Sequence, residues 1–360
     1  MASPLASSAL LLALSSPFAA SVPSASPAVP ETLHGSRLSA RTVRPGGLVE
    51  QIAASRGRQG LTWLAYGEPV LPGSERVCCF DGRRKGASAC RLWGGNVSVS
   101  TNGDPGPRPI PIPSDAVHIF LGVEAGEVRR IRAFSGSCRV EVADAELVWL
   151  EGVPEAESVA LLTAIASRDS RHLIDESLMA LALHETPLAM TSLERLLARG
   201  NPAKTREQAA FWLGQMRGEP GYQAVKQAVL ADESPSFRRH GTFVISQSKS
   251  ADAAPTLVSM AHRDPAAEVR SQALFWLAQM ASDRAVGAID ESLRDDPDDE
   301  VKEQAVFALT QLPKDQGVPH LLKVARTHSS KRVRKQAIFW LGQSDDPRAL
   351  QFLEEVLLRR

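Results

Sequence analysis

An eight-residue segment returns at a fixed interval along the second half of the chain. It reads Gln208-Ala-Ala-Phe-Trp-Leu-Gly-Gln215, Gln272-Ala-Leu-Phe-Trp-Leu-Ala-Gln279, Gln304-Ala-Val-Phe-Ala-Leu-Thr-Gln311 and Gln336-Ala-Ile-Phe-Trp-Leu-Gly-Gln343. The copies start 64, 32 and 32 residues apart, and His240-Gly-Thr-Phe-Val-Ile-Ser-Gln247 fills the long gap. A weaker copy, Glu176-Ser-Leu-Met-Ala-Leu-Ala-Leu183, stands one period upstream. A 32-residue period without insertions predicts stacked supersecondary units, because one unit alone cannot bury its apolar face and its neighbours must do so.

Each period holds two helices. Val301, Ala305, Ala308, Leu309 and Leu312 follow the i, i+4, i+7, i+8 spacing of one buried face. The other helix of the pair reads at 222–230, 254–261, 285–293, 318–325 and 349–357, with a further helix near 156–167. Turns are marked by Asp264-Pro265, Asp296-Pro297 and Asp346-Pro347.

This pattern resembles the HEAT-repeat family, in particular the short prokaryotic repeats also found in phycobilisome-lyase-like proteins, over residues 155–360. A HEAT unit carries an acid in its turn and a base six residues later. Asp232/Arg238, Asp264/Arg270 and Asp296/Lys302 match that motif, whereas Gly200/Arg206 and His328/Arg334 keep only the base. The resemblance implies that the second helix of each unit lines the concave surface, and that the turn-to-helix contacts are interrupted at those two units.

Upstream, residues 45–153 have apolar patterns of period two or short apolar runs. Strands are expected at 62–66, 76–80, 96–100, 117–123, 128–134, 138–142 and 147–150, separated by Pro72-Gly73, Asn102-Gly103 and Ser135-Gly136. Pro105–Pro113 reads as an extended loop. The expected fold class is therefore α+β in two parts: a small antiparallel β-sandwich or barrel, then an all-α HEAT-repeat solenoid over 154–360.

Residues 1–26 are uncharged, with an apolar run at 9–14 and a small-x-small site at Ala19-Ala20-Ser21. They read as a signal peptide that directs export to the periplasm or beyond, followed by a flexible linker over 27–44. The run lacks a preceding basic residue, and an organelle transit peptide is the alternative. No later stretch approaches the ~20 apolar residues a membrane span needs. Cys78, Cys79, Cys90 and Cys138 all fall in the β-rich part, an even count that in an exported chain predicts two disulfides. Adjacent cysteines seldom bridge, so Cys78 and Cys79 are expected to pair separately with Cys90 and Cys138.

Two ladders recur at one-repeat spacing: Phe211, Phe243, Phe275, Phe307 and Phe339, and Gln215, Gln247, Gln279, Gln311 and Gln343. Gln304, Phe307 and Gln311 point within about 60° of one another on a helix, away from the core face. The ladders then either line an open concave groove, with aromatic anchors and amides suited to an extended peptide, or form contacts between successive repeats. Trp212, Trp276 and Trp340 sit closer to the core stripe and read as packing.

Forty-one basic residues cancel forty-one acidic ones, and neither part carries a strong excess, so no nucleic-acid partner is expected. No nucleophile elbow, zinc-protease motif, phosphate loop or dinucleotide fingerprint occurs. Deoxyhypusine hydroxylases, a HEAT class, hold two irons with several His-Glu pairs, and here only His184-Glu185 is present. A bilin-lyase role would need a chromophore-handling cysteine or cleft, and the solenoid has no cysteine. The expectation is an exported, non-enzymatic scaffold or adaptor without cofactor or metal that binds a protein or peptide. The alternative is an enzyme, or enzyme subunit, with its site in the β module or at the junction.

Overall fold

The computed structural model describes residues 28–57, 60–73, 90–93, 115–168, 171–280 and 284–358. Cys78, Cys79, the strands expected at 76–80 and 96–100, the proline-rich run and the leader lie outside them.

The first part is one sheet of six strands: β1 (Leu33–Thr42), β2 (Thr62–Pro69), β3 (Cys90–Arg91), β4 (Ala116–Glu124), β5 (Glu127–Ser135) and β6 (Val140–Glu151). Helix α1 (Gly47–Ala54) lies between β1 and β2. The strand order is β1-β6-β2-β4-β5, with β3 beside β6. β2/β4 and β4/β5 are antiparallel neighbours, as expected, the second pair a hairpin. β6 runs parallel to β1, β2 and β3, so the sheet is mixed rather than antiparallel throughout. Alternation of apolar residues reports which face is buried, while strand direction is set by the connections, here the α1 crossover. β1 also occupies most of the segment read as a flexible linker. Its side chains are largely exposed, so it has little apolar pattern, and its place is held by backbone pairing with β6. The strands expected at 138–142 and 147–150 are one strand, because Ala143, at φ 53°, takes up a register shift opposite His34–Arg37 instead of ending the pairing.

Both faces of the sheet are apolar, but no second sheet closes a sandwich among the described residues. One face gathers Trp63, Phe120, Phe134, Val142, Leu147 and Trp149 around Cys90 and Cys138. The other, with Leu64, Tyr66, Ile119, Leu121, Ile131 and Leu150, is continuous with the core of the helices. A sheet covered on both faces gives near-continuous apolar strands such as 117–123, which by themselves do not reveal whether helix or sheet does the covering.

The helical part runs α2 (Glu155–Ala166), α3 (Arg171–Leu183), α4 (Pro187–Leu197), α5 (Ala203–Met216), α6 (Gly218–Ala231), α7 (Pro235–Ser246), α8 (Ala253–Arg263), α9 (Ala267–Gln279), α10 (Ala285–Asp295), α11 (Asp299–Thr310), α12 (Lys314–Thr327), α13 (Lys331–Gly342) and α14 (Pro347–Leu358). The recurring segments fall on the second helices α3, α5, α7, α9, α11 and α13. Successive second helices pack on one another without a break, whereas the first helices α6/α8 and α10/α12 barely meet. The closer-packed row is the inner side of a curved stack, so the second helices line the concave surface, as the resemblance implies.

The acid-base motif ties repeats together as well as closing each one. Asp232, Asp264 and Asp296 each accept the amide two residues on at 2.9 Å, which folds the turn. Arg238 then donates its fork to Asp264 of the next repeat, at 2.7 and 2.9 Å, and to its own turn carbonyl Asp232 O at 2.9 Å. Arg270 does the same with Asp296, at 2.8 and 3.0 Å, and with Asp264 O at 3.0 Å. The interruption expected at Gly200/Arg206 is therefore absent, since Arg206 pairs with Asp232 of the following repeat. Burial opposes ionisation of Asp232, yet the Ser234 amide and Arg206 hold its carboxyl below the usual range. The break comes instead where both partners change, at Lys302 and His328. His328 keeps the fold of the turn, its Nδ1 accepting Ser330 N at 3.1 Å, and Arg334 still reaches the His328 carbonyl at 2.5 Å.

Candidate functional site

The Phe ladder lies in the row of second helices. Phe211 and Phe243 stack at 6.2 Å with planes 8° apart, and Phe275 and Phe307 at 6.1 Å and 3°. Phe243 tilts onto Trp276 at 5.0 Å and Phe307 onto Trp340 at 5.1 Å. Trp212, Trp276 and Trp340 are 64 residues apart, and the intervening repeats place Val244 and Ala308 there. Large and small residues thus alternate, as interlocking layers require. The result is one continuous file of aromatic contacts from Trp212 to Phe339.

The phenylalanines do meet across repeats, but they are not sealed. Phe211, Phe243, Phe275 and Phe307 are half-buried, and Phe339 is 54% exposed. Gln247, Gln279 and Gln343 are exposed, while Gln215 and Gln311 are half-buried. Gln279 Nε2 donates to Gln311 Oε1 at 2.7 Å, and Gln311 Nε2 in turn donates to Thr310 Oγ1 at 2.9 Å. The stripe is a shallow track of ring faces and amide groups. Trp212 is buried and the other two indoles are half-buried, which places them in the packing.

Cys90 and Cys138 share one buried cluster on the far face of the sheet. Among the described residues no three His, Cys, Asp or Glu side chains converge as metal ligands.

The junction between sheet and helices holds a polar network that no local motif announced. His184 Nδ1 lies 2.9 Å from Ala180 O, and a carbonyl only accepts, so Nδ1 carries the proton. Nε2 therefore accepts from Ser158 Oγ at 2.9 Å, and Ser158 Oγ accepts the Tyr66 hydroxyl at 2.8 Å. Burial holds His184 neutral, with its pKa lowered to about 4, and raises that of Tyr66. Arg217 donates to the His184 carbonyl at 2.7 Å and covers the end of α3, its own pKa lowered to about 10 by burial. Tyr66, Ser158 and His184 have no exposed surface, so this Ser-His pair joins β2, α2 and α3 and offers no access to a substrate. Beside it Glu68 is 3% exposed with Oε1 unpartnered. Burial first, then Glu155, raises its pKa to about 8. The joint is further closed by backbone bonds from Leu71 N to Leu183 O (2.7 Å) and Glu185 N to Pro69 O (3.1 Å), and by Glu157, which accepts Gly46 N and Leu48 N of α1 at 3.0 Å. Bonded partners across this joint lie up to 116 positions apart, and His184-Glu185 alone gave a signal, as a lone pair.

Comparison with known proteins agrees with the helical part. The family profile for HEAT repeats matches residues 222–310 and 289–360, so this part of the chain carries HEAT repeats. No curated protein matches the sequence. Among solved structures, the chain is similar to the CpcE–CpcF complex of phycocyanin lyase from Nostoc sp. PCC7120, with 17% identity, 43% of this chain and 99% of that one covered, and a TM-score of 0.34. It is also similar to human deoxyhypusine hydroxylase in complex with glycerol (17%, 57% and 86%, 0.29) and to Escherichia coli YibA (19%, 57% and 77%, 0.36). At these scores the likeness does not extend to activity.

Proposed function

We propose that the protein is a non-enzymatic scaffold that holds an extended segment of a partner protein along the row of second helices. The observation that carries this reading is the unsealed aromatic and amide track, with ring faces for apolar side chains and glutamines for the partner's backbone amides and carbonyls. A buried ladder would only fix repeat spacing. The sheet, wired to α2 and α3, closes one end of the stack and leaves the concave row open. A peptide array probed with wild type and with Phe275→Ala/Phe307→Ala tests it. Extended peptides retained by wild type should be lost by the variant, and equal retention refutes the groove.

The same proposal includes export and two disulfides, on the basis of the uncharged leader and of Cys90 and Cys138 sharing one cluster with Cys78 and Cys79 close by in sequence. N-terminal sequencing of the secreted protein and a thiol count on the denatured chain check both. A full-length N-terminus, or four reactive thiols, overturns them.

A further inference from the structure

We infer that the outer edge of α13 is a docking site for an acidic helix of a partner protein, separate from the concave track. The inference rests on how α11 already joins α13. Asp299 accepts the Ser330 hydroxyl at 3.3 Å, Glu303 pairs with Arg332, and Phe307 packs on Trp340. These three residues of α11 form the edge that faces the next second helix.

One repeat later, the same three positions on α13 are Lys331, Lys335 and Phe339. They are spaced by four on one helix and fall within about 80° of arc. All three are exposed, and among the described residues neither lysine forms an ion pair and no second helix lies beyond α13. The other cations of α13 are occupied, Arg332 by Glu303 and Arg334 by the carbonyls of His328 and Ser329. Phe339 therefore shows the ring surface that Phe307 gives to Trp340. Leu350 and Leu357 of the adjacent α14 are also 53% and 68% exposed.

The edge thus repeats the geometry of an existing interface with its charge reversed. In the α11–α13 joint the near edge is acidic and the arriving helix supplies Ser330, Arg332 and Trp340. On α13 the near edge is basic, so the arriving helix must bring carboxylates at the places of Ser330 and Arg332 and an aromatic ring at the place of Trp340. In sequence terms these are acids two residues apart with an aromatic eight residues after the second. A second copy of this chain is a poor occupant, since a two-fold axis would set Lys331 and Lys335 against their own copies.

The probe is a stapled helical peptide of residues 328–343 of this chain carrying Ser330→Glu, Arg332→Glu and Lys335→Glu, with the unaltered peptide as control. Fluorescence anisotropy against the full chain should show the acidic peptide binding at least roughly 10-fold more tightly than the control, and more weakly as salt rises. Lys331→Glu/Lys335→Glu should remove that preference and Phe339→Ala should weaken both peptides, while circular dichroism shows each variant folded. Equal affinity for the two peptides, indifference to the lysine reversal, or self-association of the protein through Phe339 would each overturn the inference. Phe275→Ala/Phe307→Ala should leave this binding intact, which separates it from the concave track.

Discussion

Glu68 makes the joint between sheet and solenoid weaken as pH rises. Its carboxyl is 3% exposed, faces Glu155, and loses its proton in the folded chain only near pH 8, against an ordinary value of 4.5. In the unfolded chain it ionises above about 4.5, so between 4.5 and 8 the unfolded state sheds a proton that the folded state keeps. Stability present below pH 4.5 is therefore lost progressively up to pH 8 and is constant above it. At 1.36 kcal/mol per unit the full displacement is roughly 5 kcal/mol, and relaxation around a buried charge brings the expected loss to about 2–3 kcal/mol. Glu68→Gln keeps the shape and removes the ionisation. Urea unfolding followed by tryptophan fluorescence should show wild type losing stability relative to Glu68→Gln from pH 5 to pH 8.5, a difference from which the gain that buried, neutral His184 gives both proteins up to about pH 6.5 cancels. The variant should lack the Glu68 loss and be the more stable protein at the upper end. Glu155→Gln should move the upper edge of the wild-type window down. Parallel profiles for wild type and Glu68→Gln would refute the assignment.

Three other outcomes follow from the packing. Arg270→Met leaves Asp296 buried without its fork and should cost about 3 kcal/mol, read as a lowered unfolding midpoint. Lys302→Arg with His328→Asp restores the missing rung. A double-mutant cycle should give a favourable coupling of about 1 kcal/mol, and zero coupling would deny the inter-repeat pairing. Gly221→Ala places a methyl group 2.2 Å from the Leu213 carbonyl oxygen, and should destabilise by about 1–3 kcal/mol in the same melt.

The repeat was fully legible in the sequence because its unit is local: 32 residues contain both helices and the face they bury. The acid-base motif was legible only as a motif. Its spacing of six suggested a contact inside one unit, whereas Arg238 reaches 26 residues forward to Asp264, a distance that becomes short only once the units stack. β1 was missed because its side chains face solvent and its stability comes from backbone pairing with β6. Strand direction was hidden for a related reason, since alternation is the same in parallel and antiparallel strands. Tyr66, Ser158 and His184 could not be joined from sequence at all. Each looks ordinary until the end of β2 meets the end of α3.

The alternation of indole with valine or alanine has a consequence for how the stack can change length. A unit bearing Trp fits a neighbour that lacks one, so the array has a parity. Excising one 32-residue unit, for instance the one containing Phe243, would bring the Trp212 and Trp276 layers together and overfill the seam. Excising two in succession would rejoin compatible edges. Growth or loss of this protein by whole hairpins should therefore proceed in steps of 64 residues.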